Sequence, residues 1–223
     1  MRYPVNEIFE TLQGEGVYTG VPAVFLRLQG CPVGCSWCDT RHTWQCLEQD
    51  RVPMQQIIGI SGDKAQWCEL SVEELVAHLT DGRFHARHLV ITGGEPCLYD
   101  LAPLTEAMEQ QGWQCQIETS GCFEVKTSDS CWVTVSPKEG MKGGYELCAS
   151  ALKRANEIKY PVATEQHIAN LKALLAALPP EHSPVVALQP ISQKPRATAL
   201  CIEQCIKNNW RLSAQMHKYL AID

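Results

Sequence analysis

Seven short apolar stretches along the chain predict β-strands. They are rich in Val, Ile and Leu, and several lack the alternation of apolar and polar residues that a half-exposed strand shows. Strands buried on both faces have this pattern, which is typical of a parallel sheet covered by helices. The seven stretches span residues 23–28, 88–92, 114–119, 132–136, 157–162, 185–190 and 211–216.

Four segments between these strands carry apolar residues at helical spacing. The first begins at Ser71, with Glu74 three residues later, a pair that predicts a capping box. The second ends at Gly112 and the third stops before Pro179, and both residue types commonly terminate helices. The predicted helices cover residues 71–79, 99–112, 164–178 and 197–209.

The alternation of strands and helices predicts an α/β fold with a mostly parallel sheet and outer helices. About six core strands fit, fewer than the eight of a closed barrel, so the sheet is either open or curved into a partial barrel. A length of 223 residues suits one domain over 1–223. Residues from about 42 to 69 fit the alternation poorly, and we interpret them as an insertion.

Composition and charge narrow the class of ligand. The net charge of −6 disfavours a broad electrostatic grip on nucleic-acid phosphates, so we expect a small-molecule ligand and no nucleic acid. The N-terminus lacks the layout of a secretory signal, and no apolar run approaches the ~20 residues that span a bilayer. These features predict a cytoplasmic protein without a membrane segment.

Twelve cysteines in such a chain are expected to be mostly reduced thiols rather than a disulfide scaffold. Several lie scattered in apolar or helical stretches, where a cysteine usually serves as a small buried apolar residue. We interpret five in this way: Cys115, Cys131, Cys148, Cys201 and Cys205.

Three cysteines are clustered in the sequence CPVGCSWC, which follows the first predicted core strand. Cys31, Cys35 and Cys38 are spaced by three residues and then by two. A structural zinc site needs four ligands, and Cys46 or Cys68 would have to supply the fourth; a redox dithiol would use only two thiols. A [4Fe–4S] cluster accommodates the spacing better, and three thiolates leave one iron open for a ligand.

Other polar or glycine-rich loops also follow predicted strands. GGEP, SG, SPK and QPIS each come directly after one of the stretches above, at 93–96, 120–121, 136–138 and 189–192. In α/β sheets, ligands bind at the carboxyl ends of the strands. We therefore expect these loops and the cysteine loop to meet at one site.

The cysteine spacing, with Trp37 before the last cysteine and GGEP after the next core strand, resembles the radical S-adenosylmethionine superfamily. The resemblance implies a partial (β/α)6 barrel. It also implies that the open iron chelates S-adenosylmethionine, which an electron from the cluster cleaves to methionine and a 5′-deoxyadenosyl radical. The missing Cβ atoms of Gly93 and Gly94 would let backbone carbonyls approach the amino group of that cofactor.

More specific sequence motifs surround the three cysteines. FETLQGEGVYTGVPAVFLRLQGCPVGCSWCDT at 9–40 closely resembles the 7-carboxy-7-deazaguanine synthase (QueE) family of queuosine and 7-deazapurine biosynthesis, as do VITGGEP, IETSG, VSPK, ALQPIS and QMHKYL. The resemblance implies a lyase that contracts 6-carboxy-5,6,7,8-tetrahydropterin to 7-carboxy-7-deazaguanine with loss of ammonia. It further implies Mg²⁺, a flavodoxin- or ferredoxin-type electron donor and a homodimer.

The same resemblance assigns residues to roles. Cys31, Cys35 and Cys38 would hold the cluster, and Thr40 would bind Mg²⁺ with the substrate carboxylate. Substrate contacts carry over to Leu12, Gln13, Gly14, Arg27 and Thr92. Contacts to S-adenosylmethionine carry over to Trp37, Asp39, Gly94, Ser136, Pro137, Lys138, Gln189, Pro190, Ile191 and Ser192.

Several residues keep an alternative interpretation. Arg27 lies on a predicted buried strand and needs an acidic partner, either the substrate carboxylate or an internal Glu. Without the family resemblance, Thr40 would be interpreted as a turn or cap residue. Glu15 belongs either to the site or to a turn. The sequence does not decide whether the carboxylate of Asp223 reaches the substrate. We assign no ligand role to His42, His78, His167 or His217.

Two other functions compete at this stage. A glycyl-radical activase would act on a protein, whereas TLQGEG and Arg27 favour a small-molecule pocket. An iron–sulfur electron carrier or a zinc module would need a fourth protein ligand beside the three cysteines.

Overall fold

A computed structural model of the chain describes residues 1–59 and 62–220. Nine strands form a single sheet with the order β3-β1-β2-β4-β5-β6-β7-β8-β9. The strands are β1 (Arg2–Leu12), β2 (Pro22–Leu28), β3 (Cys68–Ser71), β4 (His88–Gly93), β5 (Gln114–Thr119), β6 (Trp132–Val135), β7 (Glu157–Val162), β8 (Val185–Pro190) and β9 (Arg211–Leu212).

The centre of the sheet is parallel, as the apolar stretches predict. Strands β2, β4, β5, β6, β7 and β8 pair in parallel one after another, which gives the six expected core strands. The predicted strand at 211–216 is too long, because only Arg211 and Leu212 pair with β8. The α/β partial-barrel class is therefore confirmed.

The sequence did not predict the antiparallel edge of the sheet. Strand β1 runs antiparallel to both β2 and β3, with Leu12 opposite Pro22 and Arg2 opposite Ser71. The carboxyl end of β1 consequently lies at the amino end of β2.

Helices cover the sheet between its strands. The capping box of the first is present: Ser71 N donates to Glu74 Oε2 at 2.7 Å and Glu74 N donates to Ser71 Oγ at 3.2 Å. The sequence missed the short α3. The helices are α1 (Val72–Leu79), α2 (Ala102–Gln110), α3 (Ala149–Arg154), α4 (Glu165–Ala176), α5 (Pro195–Asn208) and α6 (His217–Leu220).

One apolar core joins the sheet to α1, α2, α4 and α5. Strand residues such as Leu26, Ile91 and Ile117 have no exposed surface. Four of the scattered cysteines are buried in this core as predicted, namely Cys115, Cys131, Cys201 and Cys205. Cys148 was assigned wrongly, since it is half-buried at the residue before α3.

The segment 42–69 contains short 3₁₀ turns at Glu48–Asp50 and Met54–Gln56, and it ends inside β3. Single bridges join Ile58 to Ile8 of β1 and Arg51 to Trp67. Across residues 1–59 and 62–220, none of the helices has the length and apolar character needed to cross a membrane.

Candidate active site

One cavity of about 330 Å³ is walled by the loops that follow the parallel strands, by the end of β1 and by the segment after β9. Pro137 is absent from its wall, although both neighbours of Pro137 take part. All other residues predicted for the site line this cavity: Leu12, Gln13, Gly14, Arg27, Cys31, Cys35, Trp37, Cys38, Asp39, Thr40, Thr92, Gly94, Ser136, Lys138, Gln189, Pro190, Ile191 and Ser192.

The cysteine loop is held by residues that follow it. Cys31 N donates to the Trp44 carbonyl at 3.0 Å, and the Trp44 indole donates to Cys38 Sγ at 3.4 Å. Burial raises the pKa of Cys31 to about 11 and also raises the pKa of Cys35.

The set of donors fits a [4Fe–4S] cluster with one open iron. The two candidates for a fourth thiolate lie outside the cavity, since Cys46 is exposed and Cys68 is buried in β3. Among the described residues, no three His, Cys, Asp or Glu side chains converge closely enough to hold a single metal ion. Three cysteine thiols without a fourth among the described residues of the cavity wall are the donors that a [4Fe–4S] cluster with one open iron needs, whereas a structural zinc site needs four ligands.

The GGEP loop packs directly on the start of the cysteine loop. A Cβ on Gly94 would lie 2.1 Å from the Gly30 carbonyl oxygen, so only glycine fits there. Glu95 N donates to the same oxygen at 2.8 Å. The buried Glu95 carboxylate accepts from the Thr119 hydroxyl at 2.6 Å and from Ser120 N at 2.8 Å, which ties this loop to the one after β5.

Arg27 has an internal acidic partner and also lies in the cavity wall. Its Nε atom donates to Glu7 Oε1 at 2.5 Å, so an internal Glu is indeed its partner. The Arg27 side chain also lines the cavity, with its guanidinium carbon 5.8 Å from the centre of the Phe9 ring. Arg27 is thus neutralised on one side and directed at the ligand space on the other.

A buried cation between two carboxylates forms part of the cavity wall and was missed from the sequence. Lys159 Nζ donates to Glu15 Oε2 at 2.5 Å and to Glu118 Oε2 at 2.7 Å. Although burial opposes charge on both partners, the pairing raises the pKa of Lys159 and lowers the pKa of Glu15. A lysine inside the predicted buried strand 157–162 was the signal that could have revealed it.

Glu118 extends this ion pair toward the predicted substrate residues. Its Oε1 atom accepts from Gln13 Nε2 at 3.0 Å. Gln13 Nε2 also donates to Gln116 Oε1 at 3.4 Å, and the same oxygen accepts from His88 Nε2 at 2.8 Å. Gln13 and Glu118 in the cavity wall are therefore connected to further buried polar groups behind them.

Glu157 is a further buried carboxylate joined to these polar groups. Glu157 has no exposed surface, and it accepts from the Thr134 hydroxyl at 3.0 Å and from Val17 N at 3.1 Å. Burial raises the pKa of Glu157. Gln116 Nε2 completes the chain by donating to Thr134 Oγ1 at 3.2 Å.

The loops predicted to contact S-adenosylmethionine form another wall. Lys138 Nζ donates to the Ser136 hydroxyl at 2.5 Å and to the Ser136 carbonyl at 2.9 Å, and burial lowers the pKa of Lys138. After β8, Ser192 and Gln193 have φ angles of 52° and 51°, the left-handed region that non-glycine residues rarely adopt. Such local strain is common at ligand sites.

The segment after β9 connects the TLQGEG segment to the cysteine loop by hydrogen bonds. Gln215 Nε2 donates to Glu15 Oε1 at 3.0 Å and to Asp39 Oδ2 at 3.2 Å. Met216 N donates to the Gly14 carbonyl at 3.0 Å. One amide thus joins the TLQGEG segment to the loop that carries the cysteines.

The four histidines without assigned roles lie in different settings. His217 does line the cavity, against Gly14, whereas His42, His78 and His167 are not part of its wall. His167 Nδ1 accepts from the backbone at Ala163. The question of Asp223 lies outside the described residues.

Comparison with known proteins gives the same family from sequence and from structure. The chain is 57% identical over 222 residues to a 7-carboxy-7-deazaguanine synthase of Escherichia coli (strain K12), covering 100% of both. Relatives of that name from Buchnera aphidicola and Synechocystis are 45% and 33% identical, over 100% and 99% of this chain and 100% and 93% of their own. No protein-family model matches the chain.

Among solved structures, QueE from Escherichia coli superimposes with a TM-score of 0.94 at 56% identity, covering 97% of this chain and 95% of the other. The aligned region spans the whole chain, so it includes the cysteine loop, the glycine loop and the terminal segment that together wall the cavity. The chain belongs to the 7-carboxy-7-deazaguanine synthase (QueE) family.

Proposed function

We propose that the chain converts 6-carboxy-5,6,7,8-tetrahydropterin to 7-carboxy-7-deazaguanine with release of ammonia, a step in queuosine and 7-deazapurine biosynthesis. The observation that carries the proposal is that one cavity is lined by the three cysteines, by Arg27 and by the Lys159–Glu15 ion pair. Full-length relatives at up to 57% identity support the same activity.

The cofactor set of this proposal is a [4Fe–4S] cluster, S-adenosylmethionine and Mg²⁺. When bound, the cluster and S-adenosylmethionine supply the 5′-deoxyadenosyl radical that starts the ring contraction. Cys31, Cys35 and Cys38 would hold the cluster, while Gly94, Ser136 and Lys138 would border the S-adenosylmethionine. The Thr40 hydroxyl, 3.7 Å from Cys38 Sγ, offers the hard oxygen that Mg²⁺ prefers.

The chain's own residues would bind and orient the pterin. Arg27 would receive the substrate carboxylate, because a guanidinium binds carboxylates in a fork of parallel hydrogen bonds. A pterin also presents ring N–H donors and carbonyl acceptors, which the Glu118 carboxylate and the Gln13 amide can match. Lys159 would hold the Glu118 and Glu15 carboxylates in position as acceptors.

The partners belong to the same proposal. A flavodoxin- or ferredoxin-type protein would deliver the electron to the cluster, and the chain would act as a homodimer in the cytoplasm, without nucleic acid or membrane as partner. The class of enzyme is a radical S-adenosylmethionine carbon–nitrogen lyase, since the contraction expels a ring nitrogen as ammonia.

The test is an anaerobic turnover assay. Protein reconstituted with iron and sulfide, and given a reductant, S-adenosylmethionine, Mg²⁺ and carboxytetrahydropterin, is expected to form 7-carboxy-7-deazaguanine. Cys31→Ala, Cys35→Ala and Cys38→Ala should each abolish turnover, while Cys148→Ala, outside the cavity, serves as the control. Full turnover in any of the three cavity variants would refute the assignment.

A further inference from the structure

Three residues that neighbour one another across the sheet form a row behind and beside the cavity. Glu7 of β1 is opposite Arg27 of β2, and Arg27 is opposite Thr92 of β4. Arg27 and Thr92 line the cavity, but Glu7 is not among its lining residues. Glu7 can therefore influence a ligand only through Arg27.

Both oxygens of the Glu7 carboxylate are engaged. Oε1 accepts from Arg27 Nε at 2.5 Å, and Oε2 accepts from Gly62 N at 3.0 Å. The side chain of Glu7 is 7% exposed and that of Arg27 is 17% exposed. A carboxylate fixed at both ends and shielded from water holds its partner in one orientation, because neither group can easily find another.

Backbone geometry places Glu7 at this point. The pairing of β1 with β2 shifts register between Val5 and Glu7, an irregularity of the bulge type. Such shifts redirect side chains next to active sites. The shift brings the carboxylate opposite Arg27, and it also explains why the 2–12 segment lacks a clean strand pattern.

The stem of Arg27 is confined on its other sides. A Cβ on Gly93 would lie 2.5 Å from Arg27 Cγ, and the Phe9 ring lies beneath the guanidinium. With Nε occupied by Glu7, four of the five guanidinium N–H donors remain on the two terminal nitrogens. That end of the guanidinium is the part available to a carboxylate in the cavity.

We propose that Glu7 is the positioning residue for the substrate carboxylate, acting by orienting Arg27, and that Gly62 of the 42–69 segment fixes Glu7 in turn. The inference rests on the proposed function and adds a residue that touches neither substrate nor cofactor. It also gives the 42–69 segment a role in the substrate site.

Two variants separate orientation from charge. Glu7→Gln keeps an acceptor for Arg27 Nε and removes the negative charge that competes with the substrate carboxylate, but its amide nitrogen cannot accept from Gly62 N. Carboxylate binding should therefore stay clearly tighter than in Glu7→Ala. Glu7→Ala removes both the acceptor and the charge, and the freed guanidinium can rotate away. If Glu7 acted only as a neutralising charge, both variants would bind an anion more tightly.

The measurement is calorimetric binding of 6-carboxypterin and of pterin, which lacks the carboxylate, to anaerobically reconstituted protein saturated with S-adenosylmethionine. Glu7→Ala should weaken 6-carboxypterin binding by about tenfold or more, as expected for a charge-assisted fork that is lost, and should change pterin binding by less than about twofold. Glu7→Gln should bind 6-carboxypterin more tightly than Glu7→Ala does, because it keeps the acceptor for Arg27 Nε.

Glu10→Ala is the matched control, since Glu10 lies on the same strand and accepts from His85 N and Ala86 N at 2.6 Å, away from the cavity. It should leave the preference between the two pterins unchanged. Wild-type affinity in Glu7→Ala, equal loss for both pterins, or a Glu7→Gln protein as weak as Glu7→Ala would overturn the inference. A wild-type protein that forms no product would instead refute the proposed function, and the inference with it.

Discussion

Replacing Lys159 by Met tests whether the buried ion pair organises the cavity. Lys159 is 2% exposed and contacts Glu15 at 2.5 Å and Glu118 at 2.7 Å, so Met would fill its volume but leave two carboxylates without their cation. Removing one member of a buried ion pair costs about 3–5 kcal/mol. For a chain of this length that loss lowers the melting temperature by roughly 6–20 °C.

The loss should depend on pH in a defined direction. Burial alone would raise the pKa of Glu15, but Lys159 outweighs it and holds the pKa below its usual value of 4.5. The stabilisation from this pair is thus fully present above the unfolded-state pKa and is lost as the pH falls through the folded-state pKa. The difference in stability between the wild type and Lys159→Met should narrow as the pH falls below 4.5.

Anaerobic urea unfolding at neutral and acidic pH measures both effects. Lys172→Met, at an exposed position on α4, is the control and should unfold like the wild type. Adding Glu118→Gln to Lys159→Met should restore part of the stability, because one uncompensated charge is removed. A Lys159→Met protein as stable as Lys172→Met, or a stability difference independent of pH, would refute the reasoning.

Three further predictions concern neighbouring parts of the site. Glu157→Gln should stabilise the protein at pH 7–8 but not below pH 4.5. Burial raises the pKa of Glu157, so its ionised form costs stability once the pH exceeds the usual pKa of 4.5. An equal change in the free energy of urea unfolding at both pH values would contradict this. Gly94→Ala should destabilise the unloaded protein by about 1–3 kcal/mol or more in thermal unfolding, because the new Cβ meets a backbone oxygen at 2.1 Å; an unchanged melting temperature would show that the loops can separate. Gln215→Ala should reduce turnover by about tenfold. Gln215→Glu should reduce it further, since it places a third carboxylate against Glu15 and Asp39. If the two variants turned over equally fast, the hydrogen bonds from Gln215 to Glu15 and Asp39 would not be what sets the activity.

The sequence predicted the parallel strands closely because their signal is local. Residues 114–119, 157–162 and 185–190 carry β-branched and apolar residues among polar ones, and the observed strands have the same bounds. Strand β1 escaped prediction because Asn6, Glu7 and Glu10 interrupt its apolar pattern. The register shift between Val5 and Glu7 and the ion pair of Glu7 with Arg27 explain that interruption. Neither can be predicted without knowing the partner strand.

In the candidate site, too, residues in local motifs could be predicted, whereas residues whose partners are distant in the sequence could not. The cysteine loop and the GGEP loop were predictable because each is a short contiguous motif that follows a strand. Lys159, Glu118 and Gln215 were not, because their partners lie far away in the sequence: Lys159 meets Glu15 across 144 residues, and Gln215 meets it across 200. Only the fold brings such groups together.

The TLQGEG segment shows why one motif carries both structure and binding. Because β1 is antiparallel to β2, its end at Leu12 pairs with Pro22 at the start of β2, and from there the chain crosses toward the far strands of the sheet. It does so by contacting the far strands and the terminal segment: Gly16 N donates to Ser213 Oγ at 2.9 Å, and Glu15 pairs with Lys159 of β7. The residues that close the barrel are therefore also residues that face the ligand. A substitution there should impair folding and substrate binding together, whereas a substitution in the cysteine loop should impair cluster binding alone.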